Sequence, residues 1–181
     1  MMSRWAHSWR GRGGVWLVAA ASLMVAGGRA FAASTAPVAS TIELQRFVDA
    51  QWTEVQRLKD VDAAVLGDLY PRIGGADWIS DRGGPFQAGE IRTGEPMGRF
   101  VLGGRSSDRW FVCYEQGGLG HHLVLVIFDT TGGKARPVLL ARGGTGKHDD
   151  RSWSRLNVKQ LRRALHLGQM RVEPKITAQV F

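Results

Sequence analysis

The residues that could perform chemistry lie close together near the middle of this 181-residue chain. Tyr114 and Glu115 precede a glycine-rich segment, and His121 and His122 follow it. Histidine and glutamate are common general acids and bases in hydrolases, and tyrosine can transfer a proton at the same kind of site. If the protein is an enzyme, these four side chains are its candidate catalytic residues.

The spacing of these residues argues against a metal site or a nucleophilic pair. Adjacent strand residues point to opposite faces, so His121 and His122 cannot chelate one ion in regular strand geometry. Neither an HExxH spacing nor a GxSxG turn occurs in the chain. The single cysteine, Cys113, lies in an apolar segment, which predicts a buried and inert thiol. We therefore expect no metal and no cofactor.

The segment from Ala141 to His148 carries glycines and a lysine in an arrangement partly like a phosphate-binding loop. That motif requires glycine where Ala141 stands and serine or threonine where His148 stands. The two mismatches favour a basic loop that contacts an anion over a nucleotide site. Arg142 and Lys147 are its candidate binding residues.

Strand-length apolar runs separated by glycine turns predict that an antiparallel meander positions these side chains. The predicted strands are Phe100–Leu102, Arg109–Glu115, His121–Asp129 and Arg136–Ala141. Symmetric closure of the hairpins pairs Cys113 with Leu123, Tyr114 with His122, Glu115 with His121, Leu123 with Ala141, and His122 with Arg142. Phe111, Cys113, Leu123, Leu125, Ile127 and Leu139 would then share one face, and Trp110, Val112, Val124, Val126, Phe128, Val138 and Leu140 the other. Because both faces are apolar, we expect a layer on each side of the sheet.

Helical periodicity flanks the predicted meander on both sides. Ser40 and Glu43 predict a capping box for a helix that continues to Leu58, and Asp60 predicts the cap of a second helix ended by Pro71, Gly74 and Gly75. Residues 72–98 predict a long loop with one short strand near Phe86–Ile91. Asn157 predicts the start of a helix with Val158, Leu161 and Leu165 on its apolar side and Gly168 at its end, and Val172–Phe181 predicts a final strand.

The first 32 residues have the organisation of an export signal. Arg4, Arg10 and Arg12 precede an apolar run of 12 residues, Val15–Ala26, and Ala30-Phe31-Ala32 fits a signal-peptidase site. A membrane-spanning helix needs about 20 apolar residues, so we favour cleavage over a retained anchor. There is no cysteine at the cleavage point for a lipid anchor and no adjacent arginine pair for twin-arginine export. A flexible leader of residues 33–39 would follow, and the mature protein would be periplasmic or secreted.

Charge is distributed unevenly along the mature chain. Residues 33–133 carry a net charge of −4, whereas residues 134–181 carry +8. The basic third predicts an acidic protein surface or an anionic envelope component as partner, through Lys159, Arg162 and Arg163. The alternative is a solvated basic face without a partner. Export argues against nucleic acid, and signal removal leaves no segment for stable membrane insertion.

Two of the four mature tryptophans, Trp78 and Trp153, lie in loop-like segments beside charged residues. An exposed aromatic side chain there would contribute to a contact surface, whereas a buried one would anchor its loop to the core. We retain both tryptophans as candidate binding residues.

These patterns predict a single α+β domain over residues 40–181. It would contain N-terminal helices, a central antiparallel β-meander of about four to six strands, and a C-terminal helix and strand. The favoured function is a non-catalytic binding or inhibitor-type module, and the alternative is a small envelope hydrolase that uses the His/Glu/Tyr residues.

The export assignment makes a direct prediction. Intact-mass analysis of the protein recovered from the culture should show loss of about 32 residues, because signal peptidase cleaves after small-x-small sites such as Ala30-Phe31-Ala32. Recovery of the full-length chain from the membrane fraction would contradict cleavage.

Overall fold

Apolar residues on both faces of the central strands organise the chain around one sheet. The computed structural model describes residues 39–89, 94–118, 120–144, 153–174 and 176. In those residues seven strands occur: β1 (Thr53–Val55), β2 (Ile79–Ser80), β3 (Gly98–Arg105), β4 (Arg109–Gln116), β5 (His122–Asp129), β6 (Arg136–Gly143) and β7 (Met170–Val172). Their order is β1-β3-β4-β5-β6-β7, and β2 also pairs with β3. Every pairing is antiparallel except that of β2 with β3.

Helices cover both faces of this sheet. The described residues contain α1 (Ala39–Asp49), α2 (Ala63–Ile73) and α3 (Val158–His166). Phe47 of α1 and Leu161 of α3 belong to the core on one face, together with Cys113 of β4. Leu69 of α2 belongs to the core on the other face. The α+β class, the antiparallel meander and the C-terminal helix and strand are therefore confirmed.

The residues predicted to share each face of the central strands do so at all but one position, although the predicted pairing of residues between neighbouring strands is wrong. Cys113 lies opposite Leu125, two residues from the expected Leu123, because the hairpin loop spans residues 117–121 and Gln116 pairs with His122. Leu123 likewise lies opposite Gly143 instead of Ala141. A shift by two residues changes the neighbours but keeps each side chain on its face. Val138 is the exception, because a bulge in β6 places it against the core that contains Leu139.

The predicted first helix is too long, and its capping box is absent. The helix begins at Ala39, so Ser40 lies within it, and Glu43 binds Arg46 and Arg109 instead of the helix start. The helix ends at Asp49 because residues 53–55 pair with the edge of β3 as a strand. Tertiary pairing thus overrides the helical spacing of Trp52, Val55 and Leu58.

The second helix and the long loop also differ in detail from the prediction. Asp62, and not Asp60, caps α2 by accepting a hydrogen bond from Ala64 N–H. Pro71 lies within the last turn, and Gly74 ends the helix with a left-handed backbone at φ 95°. The short strand of the loop is Ile79–Ser80, where Ile79 is buried, whereas residues 86–89 are irregular.

The C-terminal helix agrees with its prediction. Asn157 and Gln160 form a reciprocal capping box, and Gly168 adopts a positive φ just after the helix. Val158, Leu161 and Leu165 are buried as expected. The last strand among the described residues is Met170–Val172, where buried Met170 pairs with Gly143. Residues 173, 174 and 176 of the predicted strand Val172–Phe181 are not in a strand, and residues 175 and 177–181 lie outside the described residues.

Several predictions concern residues outside the described ranges. These include the signal peptide, leader residues 33–38, most of the loop from Gly143 to Asp150, and residues 177–181. In the described part of the chain, no helix has the length and apolar character needed to cross a bilayer.

The burial of Cys113 predicts a slow thiol. Its side chain is fully buried, and burial raises the pKa of the thiol well above its ordinary value. Reaction with a thiol reagent at pH 8 should therefore be slow in the native protein and fast in denaturant. Equally fast labelling in both states would show that β4 does not lie in the centre of the sheet.

Candidate functional site

Glu115 is a buried carboxylate at the end of β4, and two side chains meet it. Its side chain is only 1% exposed. Arg99 lies directly opposite in β3 and donates from Nη2 to Glu115 Oε2 at 2.7 Å. His121 Nε2 lies 3.3 Å from the same oxygen. The structure thus confirms the predicted contact between Glu115 and His121, although Glu115 pairs in register with Leu123.

Phe86 covers this cluster from the long loop. The Arg99 guanidinium carbon lies 4.3 Å from the centre of the Phe86 ring, and the His121 ring centre lies 5.5 Å from it. A guanidinium over an aromatic face is attracted to it electrostatically. The Arg99–Glu115–His121 cluster therefore also holds the loop against the β4–β5 hairpin.

The backbone around the hairpin requires a glycine at position 117. Gly117 donates its N–H to the Met97 carbonyl, and the Gln87 carbonyl occupies the space that a Cβ atom at position 117 would need. Gln87 in turn donates its backbone N–H to the Pro96 carbonyl. The loop and the hairpin are thus joined by backbone contacts as well as by the ionic cluster.

The geometry of Glu115 limits what it can do chemically. Its Oε2 accepts a hydrogen bond from Arg99 and contacts His121, while its Oε1 is buried and has no hydrogen-bond partner among the described residues. A general base must come within hydrogen-bonding reach of the proton that it removes. Here the protein itself covers the carboxylate, which is the arrangement of a structural ion pair.

Tyr114 does not join this cluster, because it lies on the opposite face of the sheet. Its ring is fully buried in the α2-side core and meets Trp78 edge-on at 6.0 Å between ring centres. Its hydroxyl is buried, and no residue in the described part of the chain forms a hydrogen bond with it. Burial raises the pKa of Tyr114, and the charge of Arg142 acts in the opposite direction.

The remaining members of the predicted constellation are separated. His122 is half-buried and lies opposite Gln116, not opposite Tyr114 or Arg142 as expected. Arg142 lies opposite Val124 in β5 and Arg171 in β7. The structure therefore brings together Glu115 and His121 alone out of the four candidate catalytic residues.

Both loop tryptophans pack onto the core. Trp78 is half-buried over Gly98 and beside Tyr114. Trp153 is half-buried over Gly144 and packs against the core that contains Cys113. Each side chain thus anchors its own segment, and neither projects as an isolated exposed aromatic.

The basic residues of α3 have two different environments. Lys159 and Arg163 are exposed. Arg162 is half-buried, and its guanidinium donates to the Ala50 carbonyl just beyond the end of α1. Arg162 therefore connects two helices, while its neighbours face solvent. Lys147 lies outside the described residues.

The sequence did not reveal Arg99, the cation that binds Glu115, or Phe86, whose ring contacts Arg99 and His121. A signal for a cation was present, because a glutamate at the end of an otherwise apolar strand needs a compensating charge when it is buried. Nothing local to Glu115 shows which of the chain's arginines supplies that charge. The β3–β4 register determines that it is Arg99, because it places this residue opposite Glu115.

Among the described residues, no group of three or more His, Cys, Asp or Glu side chains could hold a metal ion. No protein-family model, curated protein or solved structure matches the chain.

The Arg99–Glu115 pair predicts that removing its cation alone destabilises the protein more than removing both charges. Arg99→Met should lower the free energy of unfolding by about 3 kcal/mol, because it leaves a buried carboxylate without its cation. The double variant Arg99→Met/Glu115→Leu should recover much of this loss, since both charges are then removed. Urea denaturation measures both changes. A double variant less stable than Arg99→Met would contradict this account of the pair.

Proposed function

We propose that the protein is an exported, non-catalytic binding module that recognises an acidic partner through the exposed side of α3. We define the α3 basic face as Lys159, Arg163 and His166, all of which are exposed. The partner is an acidic protein surface or an anionic component of the cell envelope. Export rests on the N-terminal sequence pattern.

The observation that carries the proposal is the difference in charge pairing between the two parts of the chain. Before position 140, three exposed cations (Lys59, Arg105 and Lys134) contact no carboxylate among the described residues, but twice as many arginines form ion pairs with carboxylates: Arg46, Arg57, Arg72, Arg99, Arg109 and Arg136. After position 150, four exposed cations contact no carboxylate in the described part of the chain: Arg155, Lys159, Arg163 and Arg171. Charges that the protein does not compensate produce a field that attracts an acidic partner.

The α3 basic face is held in place by the opposite side of the helix. Leu161 and Leu165 are buried in the core, and the Val158 N–H donates to Glu54 Oε1 of β1 at 2.9 Å. Arg162 adds the contact with the Ala50 carbonyl. A fixed helix presents its cations without a large ordering cost on binding, which favours association.

The hydrolase alternative receives less support from the geometry. The contact between Glu115 and His121 agrees with this alternative. However, Tyr114 lies on the other face of the sheet, and Arg99 shares the Glu115 oxygen that His121 contacts. These contacts favour a structural role for the cluster.

Charge reversal on α3 tests the proposal with two defined probes. The variant Lys159→Glu/Arg163→Glu should bind immobilised polyglutamate and phosphatidylglycerol vesicles at least about tenfold more weakly than the wild type, which corresponds to about 1.4 kcal/mol. Binding by the wild type should weaken with salt, because exposed charges are screened. Biosensor and vesicle-sedimentation measurements give these affinities, and comparison of the probes distinguishes an acidic polypeptide from an anionic membrane.

The matched control is Lys59→Glu/Lys134→Glu, which makes the same change in net charge at exposed positions outside α3. Both double variants should keep the melting temperature of the wild type, since exposed charges contribute little to stability. Equal loss of binding in the two variants would show a net-charge effect and refute a specific role of α3. Salt-insensitive binding that survives both changes would also refute it.

A further inference from the structure

Two adjoining open grooves lie at the end of the sheet where the β3–β4 turn meets the connection from α1 to β1. Their volumes are about 650 and about 510 Å³. Gln51, Ser106 and Ser107 line both grooves, so the two spaces form one trough along the turn. Lys159 and Arg163 do not line it, so the trough and the α3 basic face share no residue, although Arg162 of α3 donates to the carbonyl of Ala50, which lines the larger groove.

Several polar side chains in the trough are available to a ligand. The Gln51 amide, the Ser106 hydroxyl and the Arg105 guanidinium form no hydrogen bond or ion pair with other described residues. The turn that carries Ser106 is itself fixed, because Ser106 N–H donates to the Arg109 carbonyl at 2.8 Å. The trough therefore presents hydrogen-bond donors and acceptors that other described residues do not use, and its turn has a fixed backbone.

Trp52 contributes a fixed aromatic wall. Its indole N–H donates to the Phe47 carbonyl at 2.9 Å, and its ring meets Phe111 edge-on at 5.0 Å between centres. The side chain is half-buried, and its remaining surface lines the smaller groove. A rigid aromatic of this kind offers apolar contact area at little entropic cost.

The charges of the trough largely compensate one another. Its lining contains three arginines and two aspartates: Arg46, Arg105, Arg109, Asp49 and Asp108. Two of these arginines are also paired with Glu43. A strongly charged ligand would gain little from such a lining, in contrast to the α3 basic face.

We propose that this trough binds a neutral oligosaccharide segment. Sugar hydroxyls both donate and accept, so neighbouring hydroxyls match the planar amide of Gln51, the guanidinium of Arg105 and the hydroxyl of Ser106. The apolar C–H face of a sugar ring matches Trp52. Because the grooves are open and continuous, several residues of a longer glycan can lie along them.

Titration of the ¹⁵N-labelled protein with three neutral hexasaccharides tests this proposal: maltohexaose, cellohexaose and chitohexaose. At least one should shift the Trp52 indole N–H signal and the backbone signals of Gln51, Ser106 and Ser107. The indole signals of Trp78 and Trp153 should stay unchanged, because those side chains lie elsewhere on the core.

Gln51→Ala and Ser106→Ala should each weaken the binding at least about fivefold, as expected for the loss of a hydrogen bond to a ligand. Gln169→Ala is the matched control, because Gln169 is exposed and does not line the trough, and it should bind as the wild type does.

Two results would overturn the proposal. One is the absence of trough shifts with all three sugars at about 10 mM, a concentration that would nearly saturate a site with a Kd of about 1 mM. The other is a stronger shift of the same signals by trialanine, which would identify the ligand as a peptide.

Discussion

Burial of β4 and β5 on both faces is the constraint on which the rest of the structure depends. Val112, Cys113, Leu125 and Val126 are fully buried, although neighbouring residues in a strand point in opposite directions. A sheet that is apolar on both sides needs a layer on each side. Helices α1 and α3 cover one face and α2 covers the other. The positions of all three helices, and hence of the surfaces they present, follow from this arrangement.

The same burial explains why the charged residues at the two ends of the sheet are paired. A buried charge is costly unless an opposite charge and hydrogen bonds compensate it. Glu115 meets Arg99 at one end of β4, and Arg109 meets Glu43 of α1 at the other. These ion pairs connect β4 to β3 and to α1. Glu115 thus belongs to the contacts that hold β4 in the fold.

Two peripheral surfaces differ in their chemistry. The α3 basic face carries cations without carboxylate partners among the described residues, whereas the trough beside the β3–β4 turn has a nearly balanced set of charges. The first suits an acidic partner with long-range attraction. The second suits a neutral polar ligand held by short-range hydrogen bonds.

The sequence by itself determined the features that depend on local periodicity. These include the α+β class, the faces of the central strands, the burial of Cys113, and the start of α3 after Asn157. It did not determine where α1 ends, because the chain pairs with β3 as a strand at residues 53–55, a non-local contact. It also left the hairpin register open by two residues, since an even shift preserves the apolar faces. The β3–β4 register, another non-local contact, places Arg99 opposite Glu115, whereas alternation along β4 separates Tyr114 from Glu115. Tertiary packing determines which residues distant in the sequence come into contact, and no local sequence pattern shows these contacts.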